Sequence, residues 1–318
     1  MKRVFIDGEA GTTGLLIRER IVGRRDIELL QIDPAKRKDA DERKRLLNAA
    51  DIVFLCLPDE AAIEAVSLID NPDTVVIDGS TAFRVTDGWT YGFPEMTKDH
   101  RAKVASSKRI SNPGCYPTGT IALVRPLVDA GILPKDFPLT INAVSGYSGG
   151  GKGMIAEFED PQAPVTSDQP FRLYGLTLAH KHVPEMQVYS GLDQKPLFSP
   201  AVGKYRQGML VEVPVQLWSL ASDTTPDQIR DVLSAHYAGE RFVSVAGADE
   251  TAEIANIDPE GLNHTNEMKL FVFGNEETEQ VRLVALLDNL GKGASGAAVQ
   301  SMNLVLGIDE ATGLAPDA

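Results

Sequence analysis

Apolar positions along this chain follow two rhythms, and the change between them falls near residue 131. In the first part, short continuous apolar runs alternate with stretches spaced three and four apart. Val4 to Ile6 precedes Gly14 to Val22, Ile27 to Ile32 precedes a charged segment through Leu47, Ile52 to Leu57 precedes Asp59 to Ile69, and Val75 to Ile77 follows. A continuous apolar run suits a strand covered on both faces, and helix-spaced stretches between such runs make crossovers, so the pattern predicts βαβ units around a parallel sheet. Ile121, Val124, Leu127 and Val128 predict a further helix, with Pro117 in its first turn and Gly131 ending it.

Beyond Gly131 the apolar residues alternate instead. Met209 to Val215 and Lys269 to Phe273 each read one side in and one side out, which predicts a mainly antiparallel sheet with a helix at Pro226 to His236 on one face. The last helical pattern, Gly293 to Leu306, opens on small residues that permit close backbone packing, and it is expected to return to the first domain. The expected fold is therefore α/β: a Rossmann-like doubly wound parallel sheet over 1–115 plus 293–318, and an α+β domain with a mainly antiparallel sheet over 116–292. The tail from Asp309 reads as polar and loose.

Composition narrows the function classes. A chain of 318 residues is long enough for two cores. Its 45 acidic against 31 basic side chains, a net charge of −14, argue against nucleic acid or an anionic membrane as partner. An anionic small-molecule substrate has to be met by local basic residues. No stretch reaches the ~18 apolar residues of a membrane span, and the N-terminus enters a strand without a basic leader, so the expected location is cytoplasmic. Cys56 and Cys115 are too few for a disulfide framework, no Cys/His spacing suggests a structural metal, and Cys56 reads as strand core.

Cys115 carries the chemistry. It sits in Ser111-Asn112-Pro113-Gly114-Cys115-Tyr116-Pro117-Thr118, where the unpaired N–H groups and dipole of a helix start favour a thiolate. The plain alternative is a small buried hydrophobe, but Pro113-Gly114 and Pro117 fix a specific turn around the sulfur. Of five histidines, two lie one residue apart in His180-Lys181-His182-Val183-Pro184-Glu185, with Glu185 available to orient an imidazole. The spacing does not say which of them is the acid/base. His100 and His236 read as surface residues, and His264 falls in a polar loop. Ser145 to Gly153 is glycine-dense; its N–H groups and Lys152 suit a phosphate or carboxylate, unless it is simply a flexible loop. Gly8-Glu9-Ala10-Gly11-Thr12-Thr13-Gly14 follows the first strand, where backbone N–H groups accept a pyrophosphate. Asp33 suits the ribose of NAD, whereas Lys36, Arg37 and Lys38 suit the 2′-phosphate of NADP, and both readings stay open.

Together these residues resemble the N-acetyl-gamma-glutamyl-phosphate reductases of arginine biosynthesis, in their shorter form. The resemblance covers most of the chain and rests on Gly8 to Gly14, Ser80 to Arg84, Tyr91 to Glu95, Ser111 to Thr118, Ser145 to Gly153, His180 to Glu185 and Asn289 to Gln300. It implies NADP as cofactor, held by Gly8, Gly11, Thr12, Thr13, Gly14, Lys36, Arg37, Ser80 and Asn289. It implies Cys115 as nucleophile served by His182 and His180, and substrate contacts from Arg84, Asn112, Ser145, Ser148, Lys152, Lys181 and Glu185. A homodimer or homotetramer is expected on the same basis. Thr81 and Ala82 depart from the family pattern, as does Gly150-Gly151-Lys152, where lysine offers a point charge in place of arginine's fork.

Three other readings remain. Aspartate-semialdehyde dehydrogenase shares the chemistry but has an asparagine-cysteine turn without Pro113-Gly114. The aminoadipyl homologue of lysine biosynthesis takes a substrate one methylene longer, a difference worth only ~1–3 kcal/mol in a pocket. A non-catalytic NADP-binding redox regulator would use Cys115 as a sensor, and Cys56 is poorly placed as its resolving thiol.

Overall fold

The computed structural model describes residues 1–220 and 223–314. They form two compact units, one made of 1–94, 99–114 and the chain from Ala294 onward, the other of 95–98 and 115–293. Cys115 and Gly293 thus fall in the second unit.

In the first unit the continuous apolar runs become strands of a parallel sheet. Its elements are β1 (Lys2–Asp7), α1 (Thr12–Ile21), β2 (Ile27–Leu30), α2 (Ala40–Ala49), β3 (Ile52–Leu55), α3 (Asp59–Ser67), β4 (Val75–Asp78), β5 (Thr90–Tyr91), α4 (His100–Ser106) and β6 (Arg109–Ser111), followed by the C-terminal helix Gly296–Leu306. The six strands run in the order β2-β1-β3-β4-β6-β5, each pair parallel. Successive side chains of a strand face opposite ways. Phe5, Val53, Leu55 and Val76 pack with Leu46, Leu47, Ala62 and Ala65 of α2 and α3, while Val4, Ile6, Ile52 and Ile77 are also buried. Both faces of the sheet are therefore covered, and each large aliphatic side chain so buried contributes about 1.5–3 kcal/mol.

The second unit contains α5 (Cys115–Asp129), β7 (Thr140–Gly146), α6 (Gly151–Glu159), β8 (Phe171–Leu173), α7 (Val183–Ser190), β9 (Leu197–Gly203), β10 (Met209–Gln216), α8 (Pro226–His236), β11 (Val243–Val245), α9 (Ala248–Glu253), β12 (Met268–Asn275) and β13 (Gln280–Leu287). Its seven strands run β11-β12-β13-β10-β7-β9-β8; β11–β12 and β7–β9 pair in parallel and the other neighbours antiparallel. On β10, Met209, Val211, Val213 and Val215 are buried and the residues between them are not, so the alternation in the sequence is an alternation of faces. Helix α5 lies on this sheet. A Cβ on its Gly119 would stand 2.8 Å from the Val211 side chain, so glycine lets helix and sheet approach.

Pro126 stands inside α5 and removes the N–H that would bond the Ala122 carbonyl. The Tyr237 hydroxyl, at the end of α8, donates to that carbonyl at 2.9 Å and repairs the ladder. Thr225 caps α8 reciprocally with Gln228, which fixes where the helix begins.

Three expectations change. His100 is buried, with Nε2 2.5 Å from the Tyr91 carbonyl. His236 is half-buried, with Nε2 3.3 Å from the Glu95 carbonyl, and burial lowers its pKa. Polar neighbours suggest exposure only when one face of a helix is free, and α4 is too short and too closely packed for that. The tail is also anchored: Asn303 Nδ2 donates to the carbonyls of Glu310 and Thr312, while Ala311 and Leu314 are buried. Residues 315–318 of that tail lie outside the described residues. Among the described residues no helix is long and apolar enough to cross a membrane.

Candidate active site

Cys115 is the first residue of α5 and is partly exposed. The sulfur thus stands at the end of the helix where the N–H groups lack intrahelical partners. Tyr116 behind it is buried, and its hydroxyl accepts from Tyr174 at 3.0 Å and donates to the Ala201 carbonyl at 3.2 Å. The Tyr116 ring lies 6.1 Å from the His180 ring and 6.0 Å from that of His182, and the two imidazoles are 4.7 Å apart. Phe198 packs 5.2 Å from both Tyr116 and His180. The structure thus gathers both histidines around the residue adjoining the thiol.

Electrostatics place the sulfur in the same cluster. Burial pushes Tyr174 up to about 12, with a further push from the charge of Cys115. Tyr116 is held well above the usual phenol value by burial, then by Tyr174 and Cys115. His180 Nδ1 accepts from the backbone N–H of His182 at 3.2 Å, so the proton of its neutral ring sits on Nε2. His182 is buried at the N-cap of α7, and Glu185 in the first turn of that helix is 1% exposed. Lys181 between the histidines is exposed.

The 145–153 loop is more braced than its glycines suggest. Ser145 is buried and donates to the Gly146 carbonyl at 3.1 Å. Asn289 donates to buried Ser148 Oγ at 3.1 Å and accepts from the Gly208 N–H at 2.7 Å, so much of its amide is engaged within the fold. Lys152 is exposed on α6, a helix with no fully buried residue. Asn112, in the first unit, donates to the Ala294 carbonyl at 3.0 Å.

The first unit carries the nucleotide signature. Gly8 has φ +86°, and a Cβ there would fall 2.3 Å from the Cys56 carbonyl oxygen; a Cβ on Gly14 would fall 2.7 Å from that of Gly8. Gly11 caps α1 without a side chain over its N–H groups, and Thr13 follows in the first turn. Thr12 Oγ1 is buried without a partner among the described residues. A cleft of about 250 Å³ beside them is lined by Asp7, Gly8, Glu9, Ala10, Arg18 and Arg37 among others. Asp33 is turned to another task, accepting from the Ala35 N–H at 2.9 Å to cap the turn Pro34–Lys36. Lys36 is exposed and Arg37 lines the cleft. Bare N–H groups, an orphaned hydroxyl, glycine clearance and an arginine fit a dinucleotide with an extra phosphate.

Ser80 donates to Asp78 Oδ2 at 2.6 Å, and burial pushes Asp78 up to about 6. Arg84, buried in the same unit, donates to the Gly79 carbonyl at 3.3 Å. Sequence reasoning missed the aromatic cluster of Tyr116, Tyr174 and Phe198. It also missed two buried ion pairs: Arg43 with Asp7 at 2.9 Å, and Lys292 with Glu95 at 2.7 Å. The one available signal was a lysine inside the small-residue run Gly291-Lys292-Gly293-Ala294, where close packing leaves little room for water.

A cysteine opening a helix in a mixed-sheet unit, joined to a parallel nucleotide-type sheet, defines a dehydrogenase of the semialdehyde class. Family models described as "semialdehyde dehydrogenase, NAD binding domain" and "semialdehyde dehydrogenase, dimerisation domain" match residues 15–104 and 115–289. Two solved aspartate-semialdehyde dehydrogenases share the fold. The Francisella tularensis structure has a TM-score of 0.71 at 12% identity, covering 96% of this chain and 100% of that one. The Vibrio cholerae structure has a TM-score of 0.68 at 17% identity, covering 96% and 98%. N-acetyl-gamma-glutamyl-phosphate reductases are much nearer: that of Rhizobium etli is 57% identical over 96% of this chain and 98% of its own, and N-acetyl-gamma-glutamyl-phosphate reductase 2 of Nostoc sp. is 53% identical over 98% and 99%. The chain belongs to the N-acetyl-gamma-glutamyl-phosphate reductase family.

Proposed function

We propose that the chain reduces N-acetyl-L-glutamyl 5-phosphate to N-acetyl-L-glutamate 5-semialdehyde and inorganic phosphate with NADPH, through a thioester on Cys115, as a cytoplasmic step of arginine biosynthesis. The supporting observation is a conjunction: relatives at 52% to 57% identity over nearly the whole chain carry that activity in their names, and Cys115 opens α5 with two imidazoles packed on its neighbour.

The Cys115 thiolate attacks the acyl carbon, the bond from that carbon to the phosphate oxygen breaks, and phosphate leaves with the electron pair. A thioester remains on Sγ. Bound NADPH supplies the hydride that the side chains lack. N–H groups at the start of α5 stabilise the oxyanion, each such donor being worth ~3 kcal/mol of barrier. His182 gives that oxyanion a proton and takes it back as the carbon–sulfur bond breaks, which frees the aldehyde and restores the thiolate. His180 and Lys181 face the substrate or the cofactor, Arg84 and Lys152 serve the substrate's carboxylate or phosphate, and Asn112, Ser145, Ser148 and Glu185 are assigned to the rest of the substrate site.

The first unit serves as the NADP-binding part. There Gly11, Thr12 and Thr13 offer donors to the pyrophosphate, Gly8 and Gly14 give clearance, Arg37 and Lys36 meet the 2′-phosphate, and Ser80 joins them; Asn289, a residue of the second unit, is assigned to the nicotinamide carboxamide. The second unit, with Cys115, serves as the catalytic part and as the contact surface of a homodimer or homotetramer.

The test is phosphate-dependent reduction of NADP by N-acetyl-glutamate semialdehyde, run beside NAD and beside the aminoadipate analogue. Cys115→Ser is expected to lose ~10⁴-fold or more in kcat, as removal of a nucleophile generally does. Turnover retained in that variant would reject the thioester, and a preference for the longer analogue would reject the substrate.

A further inference from the structure

Lys292 is a long charged side chain with no exposed surface, and its ammonium lies 2.7 Å from a carboxylate oxygen of Glu95, whose side chain is equally withdrawn from water. The ammonium also stands 5.5 Å from the centre of the Phe242 ring. All three residues belong to the second unit. Two buried charges are costly even when paired, and apolar side chains of the same volume often serve stability as well or better. What the pair adds is direction, because a charge-assisted hydrogen bond fixes its two ends within a few tenths of an ångström.

The residue after Lys292 shows what is being held. A Cβ on Gly293 would lie 2.7 Å from the Cβ of Cys115 and 3.2 Å from its Cα, so the backbone of residue 293 rests on the cysteine without slack. The N–H of Gly293 donates to the Asp288 carbonyl at 2.9 Å. The carboxylate of Asp288 is itself fixed, accepting from Gln207 at 2.6 Å and from the His264 N–H at 2.8 Å. On the other side, the backbone carbonyl of Glu95 lies 3.3 Å from His236 Nε2. Gly291–Ser295 is a π-helical turn, a local widening that tends to occur at functional sites.

We propose that the Lys292–Glu95 pair positions the nucleophile: it pins the backbone at 292–293, and through the contact at Gly293 it sets where the Cys115 sulfur lies relative to the N–H groups of α5. The inference rests on Cys115 being the nucleophile of the proposed reaction. Both side chains are sealed from solvent, so they act through Cys115 and are positioning residues.

Two full-length variants test it. Glu95→Gln keeps the size and an acceptor for Lys292, and Lys292→Met/Glu95→Leu removes both charges so that neither is left buried alone. The readouts are the rate of Cys115 alkylation by iodoacetamide, kcat against KM, the Kd of NADP, and Tm. Burial pushes the Cys56 thiol up to about 12, so alkylation near neutral pH reports Cys115, with Cys115→Ser as the blank. The expected result is alkylation slowed about 10- to 100-fold, the scale of an ångström's misplacement. kcat should fall in proportion, with KM and the NADP Kd unchanged. Gly293→Ala, which pushes on the same contact from the other side, should give the same signature. If Glu95→Gln does not fold, the double variant decides alone. A folded double variant whose Cys115 alkylates at the wild-type rate would overturn the proposal and leave the pair a purely stabilising role. Alkylation needs neither substrate nor cofactor, so a wrong substrate assignment would leave this result readable.

Discussion

Two strand-to-helix turns can be set side by side: Gly8 to Gly14 between β1 and α1, and Asn112 to Cys115 between β6 and α5. Both deliver a helix start, the end of a helix that carries the positive end of its dipole. In the first turn the side chains are stripped away: φ is +86° at Gly8, and a Cβ at Gly8 or Gly14 would meet backbone within 3 Å. In the second, Pro113-Gly114 leads directly into a side chain that is itself the reagent, and the surrounding groups serve that one atom. In the proposed reaction the same backbone device binds an anion when bare and activates a nucleophile when occupied. Steric change should therefore damage the first turn and chemical change the second.

The largest effect that would sharpen this contrast is expected from Gly8→Ala. The added methyl has no allowed position, so NADP affinity should fall 100-fold or more by calorimetry, while Cys115 alkylation stays as in wild type. Slowed alkylation in that variant would break the comparison. His182→Asn is the converse: removal of a positioned acid/base is expected to cost ~10²-fold in kcat and to move the alkylation profile of Cys115 to higher pH, with NADP binding intact. Were His180→Asn alone to move it, the two imidazoles would exchange roles.

A smaller change is expected from Arg37→Ala. Loss of a charged hydrogen bond to phosphate costs about 1.5–3 kcal/mol, so the NADP Kd should rise about 10- to 150-fold, with NAD binding unaltered. Equal loss for both cofactors would mean that Arg37 does not read the 2′-phosphate. The smallest effect belongs to Tyr237→Phe, which leaves the buried Ala122 carbonyl unsatisfied. That should cost about 1–3 kcal/mol of stability, visible as a lower Tm of the second unit with NADP binding unchanged.

Legibility in the sequence followed how local each cause is. The run that starts at Ile52 announces a strand because both faces of Ile52–Leu55 are buried, and Met209 to Val215 does so because one is. β5, two residues long, and the edge strand β8, with Phe171 and Leu173 exposed, carry no such pattern and owe their form to their neighbours. Cys115, His180 and His182 stand out because few residue types do their chemistry. Tyr116, Tyr174 and Lys292 take their roles from burial and from partners distant in sequence, which no spacing records. Asp33 shows the limit most plainly: its position suits a ribose, and one oxygen of its carboxylate caps the turn that follows.

Pro126 gives the site a history as well as a shape. The carbonyl it orphans in α5 is satisfied by a hydroxyl 115 residues further along the chain. A growing polypeptide therefore makes the nucleophile's helix long before the brace for that helix exists. Until Tyr237 has been made, Cys115 heads a helix with an open rung at Ala122. The finished backbone of that helix therefore waits on a residue near the end of α8.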